Sequence, residues 1–504
     1  MSARTMLRWL GRSMLSLLTT LVLVGVGFYL HYLWNGPELK PWHRARLDAE
    51  FTASDYADGR ITTLAQYRDL ERRLQTQVAV EVYQRVAASD RGLFVRYGTG
   101  SRSDPGTWVT NWNMTFVLEP EGDVRGGVVL LHGLTDSPYS LRSLGEVLAR
   151  DGYRVVGLRL PGHGTAPAGL LRFEVEDLEA ATRLAVRDLR ASLGPGRPIE
   201  LIGYSNGAAL AVSYALDARD DASLPRPAHL ALISPAIGIT RLAALGRIQT
   251  GLSELQGFGR AAWQLVEIEP DPFKYQSFPW HAAGVTQRLT STLVRRVARL
   301  ADSGPVRGLP PILAFVSTVD STVQADKVVD ALLGRLAPEG HELVLFDVNR
   351  LSVVQPLLID DPGPLTRRLR KQPQRPYALS LVTNATPQTA HVVERRVPAG
   401  AVDAVDTPLG VEWPRNVFSL SHVALPFPPD DPLYGYAAPR TERHVQLGRI
   451  EVRGENGVLN LPAWMLTRQR SNPFHGYLVS KVERWLDVPA THVAEPPFRE
   501  LTAP

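Results

Sequence analysis

Residues 199 to 210 read Ile-Glu-Leu-Ile-Gly-Tyr-Ser-Asn-Gly-Ala-Ala-Leu. This is a short apolar strand, a G-x-S-x-G turn and the start of a helix built from small residues, and it constrains the chain more than any other stretch. A serine hydroxyl is a poor nucleophile unless it is held exposed beside a base, and a sharp strand-to-helix turn holds it there in a strained backbone geometry. Gly203 and Gly207 lack a Cβ, so the turn and the neighbouring strand can approach closely. The backbone N–H of Asn206 then faces the point where an acyl oxygen gains negative charge, aided by the helix N-terminus.

The segments before this turn alternate strand and helix. Val128 to Leu131 is an all-apolar run, as expected of a strand buried on both faces, and it ends in His132-Gly133-Leu134-Thr135-Asp136-Ser137. Helical patterns follow over Ser140–Asp151 and Phe173–Leu193, with a strand at Tyr153–Leu158 between them. This rhythm predicts a mostly parallel central sheet with helices on both faces, the α/β class. Ligands of such sheets bind at the carboxyl ends of the strands, where Ser205 and the His132-Gly133 loop both lie. The N–H of Leu134 is the expected second oxyanion donor, completing a pair with Asn206. His132 and His163 read as residues that shape their loops.

The chain has 504 residues, enough for two or three domains, and an ordinary globular composition of 44% hydrophobic and 21% charged residues. With a net charge of +4 spread along the chain, no basic stripe suggests a nucleic-acid partner. The absence of cysteine excludes disulfides, thiolate metal sites and a cysteine nucleophile, and suits an oxidising compartment. Near the N-terminus, Ser13 to Trp34 contains 22 residues without Asp, Glu, Lys or Arg, against the ~20 needed to cross a bilayer as a helix. Arg4, Arg8 and Arg12 precede it and Lys40, Arg44 and Arg46 follow, so the flanking charge does not settle orientation; the first helix after a basic N-terminus usually keeps that end in the cytoplasm. The expected arrangement is an uncleaved single-pass anchor with the bulk of the chain on the non-cytoplasmic side. A cleaved signal peptide and a buried soluble helix are the competing readings. A helix capped by Thr63 and Gln66 follows, running from about Leu64 to Val86.

Beyond Ser205, the strand at His229–Ser234 ends without a carboxylate. Residues 241 to 305 break the rhythm and read as a cap over the strand ends. The strand Pro311–Val316 leads into Ser317-Thr318-Val319-Asp320-Ser321-Thr322-Val323, which puts Asp320 where an acid must stand to orient a histidine beside Ser205. Asp326 is the runner-up, and an N-cap for the following helix is the plainer role for Asp320. The next strand, Glu342–Phe346, is not followed by the histidine. Some seventy residues, 348 to 416, intervene, with strand-like stretches at Tyr377–Thr383 and His391–Val397; they read as an insertion adding strands at the sheet edge. His422 follows, in Phe418-Ser419-Leu420-Ser421-His422-Val423, leading into a proline-rich loop that suits an exposed base. His391, His444 and His475 are the fallbacks.

With Ser205, Asp320 and His422 in that order, the chain resembles an α/β-hydrolase, and more narrowly the group of monoacylglycerol lipases, lysophospholipases and serine aminopeptidases S33. The matching motifs are LLHGLTDSP at 130–138, LPGHG at 160–164, GYSNGAAL at 203–210, VDSTV at 319–323 and FSLSHVALP at 418–426. The resemblance implies an α/β-hydrolase fold, a Ser205–Asp320–His422 triad and an acyl-enzyme mechanism that uses no metal or organic cofactor. The long insertion before His422 and the N-terminal anchor depart from the usual soluble core. The expected organisation is a cytoplasmic N-terminus (1–12), an anchor (13–34), a stem with a helical segment (35–110), and a first core part (111–240). A cap (241–305), a core part with the acid strand (306–347), the insertion (348–416) and a core part with the histidine and a C-terminal helix (417–504) complete it. The expected activity is hydrolysis of a small-molecule acyl substrate, an ester of lipid or lysophospholipid type. A peptidase using the same triad and a non-catalytic binding or scaffold protein are the alternatives.

Overall fold

A computed structural model describes residues 14–237, apart from 22, 26, 28–30, 32 and 33, together with 259–320, 322–358, 361–449 and 468–486. Its strands are β1 (Phe116–Leu118), β2 (Gly126–Leu131), β3 (Tyr153–Leu158), β4 (Ile199–Tyr204), β5 (His229–Ile233), β6 (Trp263–Leu265), β7 (Phe278–Pro279), β8 (Ile312–Ser317), β9 (His341–Phe346), β10 (Tyr377–Asn384), β11 (His391–Val397) and β12 (Val405–Glu412). The longer helices are α1 (Leu64–Glu81), α2 (Arg142–Arg150), α3 (Val175–Leu193), α4 (Asn206–Asp220), α5 (Trp280–Ala301), α6 (Ala325–Ala331), α7 (Gly363–Lys371) and α8 (His475–Trp485).

Ten strands form one sheet in the order β1-β3-β2-β4-β5-β8-β9-β10-β11-β12. From β3 through to β10, neighbours run parallel, and antiparallel strands close both edges. The parallel strands β2, β4 and β8 are buried along their whole length, which is why they read as near-continuous apolar runs, broken in β4 by Glu200, which pairs with His229 of β5. After β2 the chain turns to β3 on one side, and after β3 it returns to β4 on the other. That reversal opens a crevice beyond the carboxyl ends of β2 and β4, the place where α/β sheets bind ligands.

The region expected as a cap divides. Residues 238–258 lie outside the described residues. Residues 263–279, with the small ribbon β6–β7, lie over the loop after β2, where Tyr275 N–H donates to Thr135 O at 2.8 Å. The remainder is not a cap: α5 packs Leu289, Leu293 and Val297 into the same apolar cluster as α3 and α4. It is the crossover helix between β5 and β8, so its amphipathic stripe serves the sheet rather than a pocket.

The insertion lengthens the sheet. β10 pairs parallel with β9, β11 pairs antiparallel with β10, and β12 forms the edge. The excursion then closes on itself, because Asn349 N–H donates to Phe418 O at 2.8 Å. Lys481 of α8 holds it from one face, bonded to Glu342 of β9 at 2.7 Å and Glu394 of β11 at 2.6 Å. The histidine-bearing loop therefore departs from beside the end of β9, despite the intervening residues.

The segment expected as a stem is wedged into the core. The cap of α1 forms as its sequence predicts, with Thr63 Oγ1 accepting from Gln66 N–H and Gln66 Oε1 accepting from Thr63 N–H. Glu71 of this helix is wholly buried and bonds Arg159 at 2.9 Å, while Glu50 bonds the same guanidinium at 2.8 Å. Burial opposes the Arg159 charge, but Glu50, Tyr67 and Glu71 outweigh it and hold the group protonated. Among the described residues no helix is long and apolar enough to cross a membrane. The expected span, 13–34, falls partly outside them.

Removing one partner from a buried ion pair leaves the other charge uncompensated. Glu71→Ala is expected to lower stability by about 3–5 kcal/mol, read as a lower midpoint in urea unfolding, whereas Glu81→Ala on the exposed end of the same helix leaves the midpoint nearly unchanged.

Candidate active site

The turn between β4 and α4 places Ser205 at φ 54°, ψ −113°, in a region that residues other than glycine avoid. The neighbours hold it there. Ser205 N–H donates to Ile233 O at 2.9 Å, and its carbonyl accepts from Ala236 N–H at 3.0 Å. The two glycines of the motif are required by contact. A Cβ on Gly203 would lie 2.4 Å from Ala208 Cα, and one on Gly207 would lie 2.1 Å from Leu131 O. Because Gly207 touches the end of β2, the loop His132-Gly133-Leu134 abuts the start of α4. Among the described residues nothing accepts from Leu134 N–H, and Asn206 occupies the first helical position, whose N–H has no partner within a helix. Both expected oxyanion donors therefore stand at one edge of the crevice.

Ser205, Asp320 and His422 come together as the sequence predicts. His422 Nε2 lies 3.0 Å from Ser205 Oγ, and His422 Nδ1 lies 2.9 Å from Asp320 Oδ2. Asp320 Oδ1 accepts from the N–H groups of Thr322 and Val323, each at 2.8 Å. Burial works against the Asp320 charge, but the bond and attraction of His422 and the two backbone donors outweigh it, so the carboxyl lies below its ordinary value. The carboxylate thus accepts from Nδ1–H, which leaves Nε2 free to take the serine proton. Asp320 does not cap the helix that follows, whose N-cap is Gln324; its second oxygen instead holds the turn at Thr322 and Val323.

The other candidates are elsewhere. Asp326 sits in the first turn of α6 and its carboxylate accepts from Lys327 N–H. His391 is exposed beside Glu412, His444 stacks on Trp108, and His475 is buried in α8 with its imidazole pushed by desolvation to about 4. His132 is a loop-shaping residue: its Nε2 accepts from Leu160 N–H at 3.0 Å, so Nδ1–H donates to Gly133 O at 2.9 Å. Burial drives its imidazole well below the ordinary value. His163 packs edge-on against it, its ring centroid 5.1 Å away, and burial brings it to about 4.

Several contributors carry no legible signal in the sequence. Tyr204, which reads as the last apolar residue of its strand, packs its ring beside His422 and donates its hydroxyl to the His422 carbonyl at 3.5 Å. Asp136 is held by Lys274 at 2.8 Å, which ties the oxyanion loop to the segment above it. A cavity of about 150 Å³ opens between Thr135 and Val423, the residues immediately following Leu134 and His422, with Arg468 and Arg470 on its wall. Among the described residues no cluster of His, Cys, Asp or Glu could hold a metal ion.

The sheet order and the elbow at its switch point are those of an α/β-hydrolase, and the match to a family model and to a sequence relative agrees. The model of the alpha/beta hydrolase fold family matches residues 127–240. A thermostable monoacylglycerol lipase from Bacillus sp. strain H-257 is 34% identical over 248 residues, which is 46% of this chain and 87% of that protein. The solved monoacylglycerol lipase of Paleococcus ferrophilus is 18% identical, covering 46% of this chain and 88% of that one at a TM-score of 0.35. The monoglyceride lipase of Saccharomyces cerevisiae, in a soluble variant, is 14% identical, covering 46% and 82% at a TM-score of 0.38. The chain belongs to the α/β-hydrolase family. Within that family it is a carboxylic ester hydrolase of lipase and esterase type.

Proposed function

We propose that the chain is a membrane-anchored serine esterase that cleaves single-acyl lipid esters through an acyl-enzyme. The observation that carries this is the continuous hydrogen-bonded line from Ser205 Oγ through His422 to Asp320, at 3.0 and 2.9 Å. In this reading His422 Nε2 takes the Ser205 proton as Oγ attacks the carbonyl carbon, and the N–H groups of Leu134 and Asn206 receive the oxyanion. His422 then gives the proton to the leaving alcohol, and a water activated by the same nitrogen releases the acid. Asp320 keeps the imidazole in the working tautomer and stabilises the imidazolium. The name of the Bacillus relative supports a monoacylglycerol-like substrate.

Anchoring rests on the uncharged apolar run from Ser13 to Trp34. Its described part is helical and leaves Met14, Leu15, Leu17, Leu18, Leu21, Leu23 and Val24 exposed to solvent, an arrangement that water penalises and a bilayer satisfies. The segment following it is fixed to the body: His43 Nε2 lies 2.9 Å from Ser277 Oγ. A first span that follows a basic N-terminus usually keeps that end in the cytoplasm, which supports a body on the non-cytoplasmic side. Alkaline carbonate extraction is expected to leave the full chain in the membrane pellet and to release a form lacking residues 1–35; release of the full chain would contradict the anchor.

Wild type is expected to hydrolyse a panel of fatty-acyl esters and to leave aminoacyl-arylamides almost untouched. Ser205→Ala is expected to abolish ester turnover, and Asp320→Asn to lower kcat by about 10⁴-fold by favouring the wrong tautomer. Arylamide turnover without ester turnover would move the function to a peptidase, and full activity in Ser205→Ala would defeat the mechanism.

A further inference from the structure

The cavity beside the reacting centre has a charge pattern that a neutral glyceride leaves unanswered. Lys274, Arg468 and Arg470 line it together with Thr135, Val423 and Phe427. Lys274 is occupied by Asp136 at 2.8 Å. Burial raises the Asp271 carboxyl above its ordinary value, and Tyr434, the Phe273 N–H and the nearby Arg470 offset only part of that rise. Asp271 accepts from Tyr434 Oη at 2.5 Å and from the N–H of Phe273 and of Lys274. Arg468 is different. It is half-buried, and among the described residues it has no hydrogen bond and no carboxylate within ion-pair distance. The cavity thus carries a surplus positive charge.

The charge is held in place relative to the chemistry. Ser421, the residue before His422, donates its hydroxyl to Gln469 O at 2.5 Å. Asn472 N–H donates to Phe427 O at 2.8 Å, and Asn472 Nδ2 donates to Leu425 O at 3.3 Å. The strap 468–472 is therefore bonded to the histidine-bearing loop at Gln469, the residue after Arg468, and again at Asn472. Val423 and Phe427, in the loop that follows His422, form part of the cavity wall; in the proposed mechanism His422 protonates the leaving alcohol, which assigns this cavity to the alcohol side of the substrate. At about 150 Å³, the space equals roughly five water molecules, room for a small polyol head and not for a long acyl chain.

We propose that Arg468 selects substrates whose leaving alcohol carries a phosphate, so that the preferred substrate is an acylated glycerol phosphate rather than a neutral acylglycerol. This rests on the Ser205–His422–Asp320 reading. A guanidinium suits the task because it can hold two phosphate oxygens at once and is not deprotonated. Lys274, paired with Asp136, and Arg470, close enough to Asp271 to act on its charge, add attraction at longer range.

The test compares kcat/KM for 1-dodecanoylglycerol and 1-dodecanoylglycerol 3-phosphate, using the full chain in neutral detergent. Wild type is expected to prefer the phosphate ester by about tenfold or more, the worth of a charge-assisted hydrogen bond. The preference is expected to shrink as salt rises. Arg468→Gln is expected to bring the two substrates to near parity by raising KM for the phosphate ester alone. Its turnover of the neutral ester reports that the variant is folded, and Arg468→Lys is expected to restore part of the preference. Equal kcat/KM in wild type, or an equal fall on both substrates in Arg468→Gln, would overturn the proposal while leaving the esterase reading intact. A preference instead for the glycerol monoester of a dicarboxylic acid would overturn the alcohol-side assignment. Turnover of neither ester, with no phosphonate on Ser205, would overturn the esterase reading and this proposal with it.

Discussion

The active centre depends on a contact between backbones. Gly207 lies so close to the carbonyl of Leu131 that the smallest side chain would collide with it. That contact brings the first turn of α4 against the end of β2, and the Asn206 and Leu134 N–H groups reach the same edge. Ser205 occupies a positive φ, a conformation that costs about 1–3 kcal/mol in a residue with a side chain. Hydrogen bonds to Ile233 and from Ala236 offset the cost, and the buried alanine face of α4 locks the helix onto the sheet. The strain is thus stored where a hydroxyl must stand clear of its own backbone.

The histidine reaches this point by a longer route. The chain leaves β9, builds three further strands and comes back, and the bond between Asn349 and Phe418 closes the detour. What the site needs is the position of residue 418 beside the end of β9, not the length of chain before it. Lys481, bonded to both Glu342 and Glu394, fixes the added strands to α8 and so to the parent sheet. At the other end of the molecule, Arg159 ties the N-terminal helix to the loop after β3 through Glu50 and Glu71. The two departures from a minimal fold are therefore each fastened to it by buried charge.

The parallel strands were legible because burial on both faces leaves an unbroken apolar run, and the elbow was legible because its glycines answer a steric demand. Asp320 could be found from its place after a strand end, and His422 from following Ser205 and Asp320 in chain order among small polar neighbours that lead into a loop. The third added strand, Val405–Glu412, gave no signal. It contains proline, glycine and acidic residues and lies largely exposed at the sheet edge, where pairing needs no apolar pattern. The crossover helix α5 was misplaced in a cap because an amphipathic stripe does not say which surface covers it. Tyr204, Asp136 and Arg468 were invisible for a related reason. Each acts through a neighbour distant in sequence, and no local spacing records such a contact.

In the proposed mechanism Ser205 is activated by His422. The most direct measurement is the rate and position of covalent labelling by a fluorophosphonate, mapped by mass spectrometry in wild type and in His422→Ala. A single modification on Ser205 is expected in wild type and a much slower one in His422→Ala. Labelling at another residue, or labelling of Ser205 at an undiminished rate without the histidine, would contradict it.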